Sequence, residues 1–279
     1  MGTTPNTTAA PDTPDTPETA AHHERLRERA VHGAEWDRIH GGYFASPSVA
    51  ATLTKLISVT AARAKPHAIV DLGGGTGFLL HELARRGLAE NARLINLDAS
   101  SEQLDQGHDP RVKRIETSLT NLRRAQFAKK DESALFIMRS VLHYFGQDGL
   151  VPILKKLRRI MQPGEYFIHQ TACFEEAAAA KCLNSLYAQM GTDKWYPMRT
   201  ALCMALMESG WQIDATAPAP HLPLGSLDLA RRYNLAPAKL TQIQKTLCTE
   251  SGECANVFVS SRRGFTAYLP YTIFTCVAV

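Results

Sequence analysis

Ile69-Val70-Asp71-Leu72-Gly73-Gly74-Gly75-Thr76-Gly77-Phe78 is the stretch whose reading decides the fold. A strand ends in an acid, a glycine-rich turn follows, and a helix opens. Glycines at such a bend let the backbone pass close to a bound ligand without Cβ clashes. The helix N-terminus that follows favours polar or anionic groups. The spacing narrows the ligand. A dinucleotide fingerprint, G-x-G-x-x-G, would require glycine where Phe78 stands, and phenylalanine there crowds a pyrophosphate. The pattern is instead D-x-G-x-G-x-G, with Asp71 just ahead of the turn.

A second acid sits at the matching distance. Asp98 closes the run Leu94-Ile95-Asn96-Leu97, 21 residues after Gly77. A carboxylate at the end of a second strand can accept both hydrogen bonds of a ribose diol. The alternative is an N-cap for the helix that starts at Ser100. Around these two points short β-rich runs alternate with amphipathic helices. Strands are expected at 68–70, 93–97, 112–117, 134–138 and 166–171, and helices at 78–86, 100–106 and 150–161. This alternation predicts a parallel sheet with helices on both faces, and right-handed crossovers leave few topologies.

The flanks read differently. Residues 1–20 are rich in Thr, Pro and Ala with almost no apolar anchor, so a disordered tail is expected. From His22 to about His40 the chain is charged and helical, with Leu26, Ala30, Trp36 and Ile39 as buried positions, and Gly41-Gly42 breaks it. Ser46-Pro47-Ser48 reads as a helix start, and that helix ends before Pro66. After Cys173 come helices at 175–190, 199–209 and 238–249, a strand at 211–215, a Pro-rich irregular stretch at 217–237, and a final buried, antiparallel strand at 271–279.

Composition sets the outer limits. With 279 residues the chain suits one large domain or two small ones, and no apolar run approaches the roughly 18 residues of a membrane helix. The N-terminus shows no secretory signal. Six cysteines without a C-x-x-C pair read as reduced cytosolic thiols, hence a cytoplasmic protein, and no metal cluster is indicated. A net charge of +4 is too mild to imply nucleic acid, and the paired basic residues, such as Arg123-Arg124 and Lys155-Lys156, fall on different elements as solvated faces.

Taken in order, these residues resemble the class I S-adenosylmethionine-dependent methyltransferases of small-molecule, specialised-metabolite type. Asp71, Gly73, Gly75 and Gly77 match that family's first motif, and Asp98 matches its ribose-binding acid. The segment from Ala134 through Met138-Arg139-Ser140-Val141-Leu142-His143-Tyr144-Phe145 resembles its fourth-strand motif. Leu157-Arg158-Arg159-Ile160-Met161-Gln162-Pro163-Gly164-Glu165 resembles the stretch before its fifth strand. The resemblance covers roughly residues 65–215 and the last strand. It implies an α/β Rossmann-like three-layer sandwich: a seven-stranded sheet, mostly parallel with the last strand antiparallel, and a helical N-terminal cap. The implied organisation is a tail at 1–20, the cap at 21–64 and the catalytic domain at 65–279, with substrate-lid segments at 174–200 and 216–265.

The same resemblance implies S-adenosyl-L-methionine as cofactor, held by Asp71, Gly73, Gly75, Gly77, Asp98, Arg139 and Tyr43. Ser118 stands where many members carry an adenine-binding acid, and its hydroxyl is the expected replacement. His143 lies in a segment similar to one that carries a histidine general base in small-molecule O-methyltransferases. There an acid and a tryptophan follow, whereas here Tyr144 and Phe145 do, so a role as pocket wall stays open beside that of base. Trp195, Tyr196, Tyr144 and Phe174 are the expected substrate contacts, since aromatics suit a flat or lipophilic ligand and stabilise cationic charge. The expected acceptor is a small, largely lipophilic natural product, methylated on oxygen or carbon. A protein or RNA methyltransferase is the alternative, although no Asn-Pro-Pro-Tyr-like clamp follows the fourth strand; a non-catalytic cofactor-binding protein is another. Neither nucleic acid nor membrane is an expected partner, and the cap is the expected contact of any homo-oligomer.

Overall fold

The computed structural model describes residues 40–251 and 256–279. The expected tail and the expected helix from His22 therefore lie outside the described residues, except for His40. From His40 the chain makes short 3-10 turns over 40–45 before the first long helix, α1 (Pro47–Ala64). Its start follows the sequence cue: the Ser46 Oγ accepts from the Val49 N–H and proline occupies the first turn. Lys65 ends it in a left-handed conformation, returning its N–H to the Ala61 carbonyl.

Then the alternation begins: β1 (Ala68–Leu72), α2 (Phe78–Arg85), β2 (Arg93–Asp98), α3 (Ser101–Gln106), β3 (Val112–Glu116), β4 (Ala134–Arg139), α4 (Gly146–Arg159), β5 (Tyr166–Ala172), α5 (Ala177–Gln189) and α6 (Arg199–Glu208). The C-terminal part is β6 (Trp211–Gly225), α7 (Ser226–Tyr233), α8 (Pro237–Ser251), β7 (Phe258–Ser261) and β8 (Gly264–Ala278). The strand order is β3-β2-β1-β4-β5-β8-β6, with β7 pairing β8. Neighbours from β3 through β5 are parallel, and β8 runs antiparallel to both β5 and β6. From β1 the chain first winds outward through β2 and β3, then restarts on the other side at β4. The switch point lies between the carboxyl ends of β1 and β4, where sheets of this kind bind ligands.

The strand sequences explain both layers. Successive side chains alternate between faces. Ile69, Leu94, Leu135, Ile137 and Ile168 pack with Leu53 and Ile57 of α1, Leu79 and Leu83 of α2, Leu183 and Leu186 of α5, and Ile243 and Leu247 of α8. Val70, Ile95, Leu97, Phe136, Met138 and Phe167 point the other way, against Ile153, Leu154 and Leu157 of α4, Leu202 and Leu206 of α6, and Trp211. Each such fully buried side chain contributes about 1.5–3 kcal/mol, so a one-residue register slip in any strand would forfeit several of them at once. The alternation also decides where polar residues go. Asp71, Asn96, Asp98, Arg139 and Gln170 have the parity of Ile69, Leu94, Ile137 and Ile168, so they emerge on the α1/α2 face at the carboxyl end of the sheet. His169 has the other parity and is fully buried between the rings of Phe167 and Phe274, at 4.7 and 5.0 Å. Burial alone drives its pKa down to about 3, so it stays neutral.

Three elements differ from the sequence reading. The stretch after Ala215, expected to be irregular, continues as strand to Gly225 and then turns into α7. β6 ends the strand order, and Pro218, Pro220 and Pro223 are tolerated because an edge strand has no second neighbour to donate to. Register shifts between Ile213 and Ala215 and between Ala219 and Leu222 absorb the irregularity. Much of the expected lid segment 216–265 is thus sheet and helix. The last strand begins at Gly264 rather than Tyr271, and the short β7 beside it brings the sheet to eight strands. Finally, α4 starts at Gly146, four residues before Leu150.

Candidate active site

The turn after β1 is built by conformation and by anchoring. Gly73, Gly75 and Gly77 have φ of 72°, 57° and 82°, in the left-handed region that side chains with a Cβ rarely enter. The Gly73 and Gly74 N–H groups donate to the Leu97 carbonyl at 2.7 and 3.2 Å, tying the turn across to β2. Asn96, 1% exposed, donates from Nδ2 to the Gly75 carbonyl at 2.9 Å. Asp98 Oδ2 accepts the Gly75 N–H at 2.9 Å, and its Oδ1 accepts the Ser100 N–H at 2.8 Å. A Cβ on Gly74 would stand 2.2 Å from Asn96 Oδ1 and 2.7 Å from Asp71 Oδ2. Gly74, the second glycine of the run, is therefore fixed by what lies beneath it.

Asp98 is not the cap of the following helix. That role belongs to Ser100, whose Oγ accepts the Gln103 N–H at 3.3 Å. The two carboxylate oxygens of Asp98 thus tie the glycine turn to the start of the next helix. Asp71 is 1% exposed, and its Oδ1, like Asn96 Oδ1, makes no hydrogen bond among the described residues. Burial, reinforced by the nearby Asp98 charge and partly offset by Arg139, raises the Asp71 pKa to about 7. Asn96 was not anticipated; the available signal was one amide inside an otherwise apolar strand.

Across the switch point stands Arg139, the last residue of β4. Its Nη1 donates to the Phe44 carbonyl at 2.9 Å and its Nη2 to the Tyr43 carbonyl at 3.2 Å. The guanidinium lies over both rings, 5.5 and 5.3 Å from the centroids of Tyr43 and Phe44. Its Nε is buried and makes no hydrogen bond among the described residues. Desolvation pulls its pKa below the usual arginine value. Tyr43 is buried, donates to the Pro220 carbonyl and stacks on Tyr271 at 5.9 Å. Ser140 follows with φ 61°, uncommon for a residue with a Cβ. Its N–H donates to the Gln170 carbonyl at 2.9 Å and its hydroxyl is 2.6 Å from the Tyr271 hydroxyl. Gln170, fully buried, also faces Tyr43 at 3.4 Å. Gln170, Tyr271 and Ser140 were not anticipated as part of this group.

Beyond Arg139, in the segment after β4, His143 is 8% exposed and stacked on Tyr196 at 5.0 Å, with Tyr144 at 4.2 Å. Tyr196 continues to Tyr187 at 4.9 Å. The Trp195 N–H donates to the His143 carbonyl at 3.2 Å, joining the two segments by backbone. Lys194 is buried, bonds the Tyr233 hydroxyl at 2.9 Å, and has its ammonium 4.9, 5.9 and 5.4 Å from the rings of Tyr144, Tyr187 and Tyr233. It had no distinguishing mark in the sequence. Of the expected substrate residues, Tyr144 and Tyr196 come together, on either side of the candidate base His143. Trp195 packs instead with the α4/α6 layer, and Phe174 is 1% exposed within the other core, bridged by backbone to Met198. Ser118 lies two residues beyond β3, half-buried, with its hydroxyl 2.9 Å from that of Thr120.

The family model described as "Methyltransferase domain" matches residues 69–164. That span begins in β1 and ends in the Pro-Gly turn before β5, so it contains the glycine turn, Asp98, Arg139 and His143. That segment is similar to a methyltransferase domain. No curated protein matches the chain. Among solved structures, the YcgJ protein of Bacillus subtilis superposes with a TM-score of 0.62 at 13% identity, over 82% of this chain and 98% of that one. The 1,6-didemethyltoxoflavin-N1-methyltransferase of Burkholderia thailandensis gives 0.55 at 13% identity, over 98% and 93%. Magnesium protoporphyrin IX methyltransferase of Synechocystis gives 0.53 at 14%, over 98% and 100%. At such identities the likeness concerns the fold. Among the described residues, no helix is long and apolar enough to cross a membrane.

Proposed function

We propose that this chain is an S-adenosylmethionine-dependent methyltransferase acting on a small, largely lipophilic molecule, at oxygen or carbon. The observation that carries the reading is the paired construction at the switch point. One side is a cofactor cradle of three left-handed glycines anchored on Asp98 and Asn96. The other is a clustered wall of rings, His143, Tyr144, Tyr196 and Tyr187. The cradle fits S-adenosylmethionine by its own chemistry: Asp98 ends β2 beside the glycine turn, where a carboxylate can accept from a ribose diol, and buried polar atoms of Asp71, Asn96 and Arg139 are left for a polar ligand to satisfy. When bound, the cofactor supplies a methyl group on a cationic sulfur.

The residues then divide the work. Asp98 takes the ribose and Ser118 the adenine edge. Gly73, Gly75 and Gly77 allow close backbone approach, while Asp71, Arg139 and Tyr43 face the amino-acid end. His143, Tyr144 and Tyr196 hold the acceptor against the methyl group, with segment 174–200 shaping the cover. Positioning supplies most of the rate enhancement in such a site, and aromatic faces stabilise cationic charge. We assign His143 to the wall, because its ring is stacked flat on Tyr196. The small-molecule reading is supported by the substrates that the Burkholderia and Synechocystis enzymes are named for.

The test is direct. The full chain is incubated with methyl-deuterated S-adenosylmethionine and a panel of lipophilic phenols, alkenes and heteroaromatics, and products are read by mass spectrometry. Label in a small acceptor, with S-adenosylhomocysteine released in equal amount, is the expected result. Label only in protein or RNA added to the same mixture would refute the small-molecule reading.

A further inference from the structure

We propose that Arg139 is a latch: one guanidinium that holds the cap by its backbone carbonyls and takes the cofactor's carboxylate, so that cap seating and binding of the cofactor's amino-acid end are coupled. This rests on the cofactor reading above.

Register puts the latch in place. Asp71 of β1 pairs with Ile137 of β4. Arg139 is two residues further on, with the same parity, so both charges emerge on one face of the sheet, on adjacent strands, about 6–7 Å apart along the strand direction. Among the described residues neither forms an ion pair. Each also keeps a buried atom without a hydrogen bond, Oδ1 on Asp71 and Nε on Arg139. An unsatisfied buried donor or acceptor is costly, and a charged one more so. A ligand end that presents an ammonium and a carboxylate side by side answers both, and the amino-acid end of S-adenosylmethionine is such a group.

Guanidinium geometry supplies the coupling. Arginine has five N–H donors in a rigid fork. Here one from each Nη is committed to the carbonyls of Phe44 and Tyr43, at 2.9 and 3.2 Å, and both rings of the cap lie against the guanidinium. The Nε–H and a second N–H suit a carboxylate in the bidentate manner. A carboxylate that fixes the fork therefore fixes the cap strands of backbone it carries. By linkage the effect is reciprocal: a seated cap strengthens binding of the amino-acid end.

The test uses two ligands, S-adenosylhomocysteine and 5′-methylthioadenosine, which keeps the nucleoside and thioether but lacks the amino-acid end. Calorimetry on the full chain compares wild type with Arg139→Met and Arg139→Lys, each checked for an intact melting transition. Arg139→Met should weaken S-adenosylhomocysteine by about 10- to 100-fold and leave 5′-methylthioadenosine within about threefold. Arg139→Lys should fall between, because lysine lacks the fork; it carries the comparison should the Met variant fail to fold. Hydrogen exchange gives a second readout. In wild type, S-adenosylhomocysteine should slow exchange of the backbone over 43–50 and 5′-methylthioadenosine should not. Equal losses for the two ligands, no loss at all, or identical cap exchange with both would overturn the latch. Failure of both ligands to bind wild type would instead overturn the cofactor cradle.

Discussion

Asp71 makes the protein's stability depend on pH in an unusual direction. Its carboxyl is buried beneath the glycine turn and its pKa is raised from the model-compound value of 3.8 to about 7, first by desolvation and then by the Asp98 charge. A group whose folded pKa is raised contributes stability that is fully present below its unfolded pKa and is lost as pH rises to the folded value. The window is therefore about pH 4 to 7, and stability falls on going up through it. Each pH unit of offset corresponds to about 1.4 kcal/mol, so between pH 4.5 and 8 the apo protein should lose about 3 kcal/mol through this one group. Asp71→Asn removes the titration and keeps the shape. The assay is urea unfolding of both proteins at pH 4.5, 6 and 8, and the quantity is the difference between them, which cancels every other titrating group. Wild type should weaken relative to Asp71→Asn by about 3 kcal/mol across the window, with most of the change below pH 7. Parallel stability curves for the two proteins would refute the buried, charge-crowded placement of Asp71.

Other perturbations follow from the same geometry. Asp98→Ala removes the acceptor of the Gly75 N–H and, on the proposed cofactor reading, that of the ribose hydroxyls, so calorimetry should show S-adenosylhomocysteine weakened at least about tenfold. Unchanged affinity would sink the ribose assignment. Gly74→Ala places a methyl group 2.2 Å from Asn96 Oδ1; the turn must move, and both melting temperature and cofactor affinity should drop, with overpacking costing about 1–3 kcal/mol. For His143, the stacked wall predicts that His143→Gln keeps kcat within about tenfold while His143→Ala mainly raises KM. A fall in kcat of about 10²- to 10⁴-fold in both variants, with loss of one limb of the pH profile, would make it a general base after all.

The parts of the fold that were legible in the sequence share a cause: their determinants are local. Asp71 followed by alternate glycines specifies a strand, a left-handed turn and a helix within ten residues, and Ser46-Pro47 specifies a helix start within two. The central strands could be located because their apolar runs are short and bounded by turn residues. What failed was non-local. Three prolines after Ala215 argue against a strand when read alone, yet β8 supplies one paired neighbour and the edge position excuses the missing donors. β7 depends on a hairpin partner in the same way. At the site, Asp98 was legible because its spacing from the turn is fixed by one helix, whereas Gln170 and Tyr271 meet Ser140 only through the pairing of β5 with β8.

Parity explains why the hidden residues belong where they are. On the α1/α2 face, β1, β2, β4 and β5 carry apolar residues along most of their length and then a polar one at or near the carboxyl end: Asp71, Asn96 followed by Asp98, Arg139, and Gln170. Each polar residue interrupts a run whose continuation as Leu or Ile would bury another side chain worth about 1.5–3 kcal/mol. Four adjacent strands give up that contribution near their carboxyl ends, Asp71 beside Asn96 and, two residues further along, Arg139 beside Gln170; the atoms placed there include Asp71 Oδ1, Asn96 Oδ1, Arg139 Nε and Gln170 Oε1, all buried without a hydrogen bond among the described residues. Ser140 adds a strained backbone angle at the same height. Packing alone would select against each of these choices, since local sequence normally agrees with the fold it specifies. Their coincidence on one face, at one end of the sheet, across the switch point, is what a polar ligand requires of a scaffold whose remaining strand positions are already committed to the core.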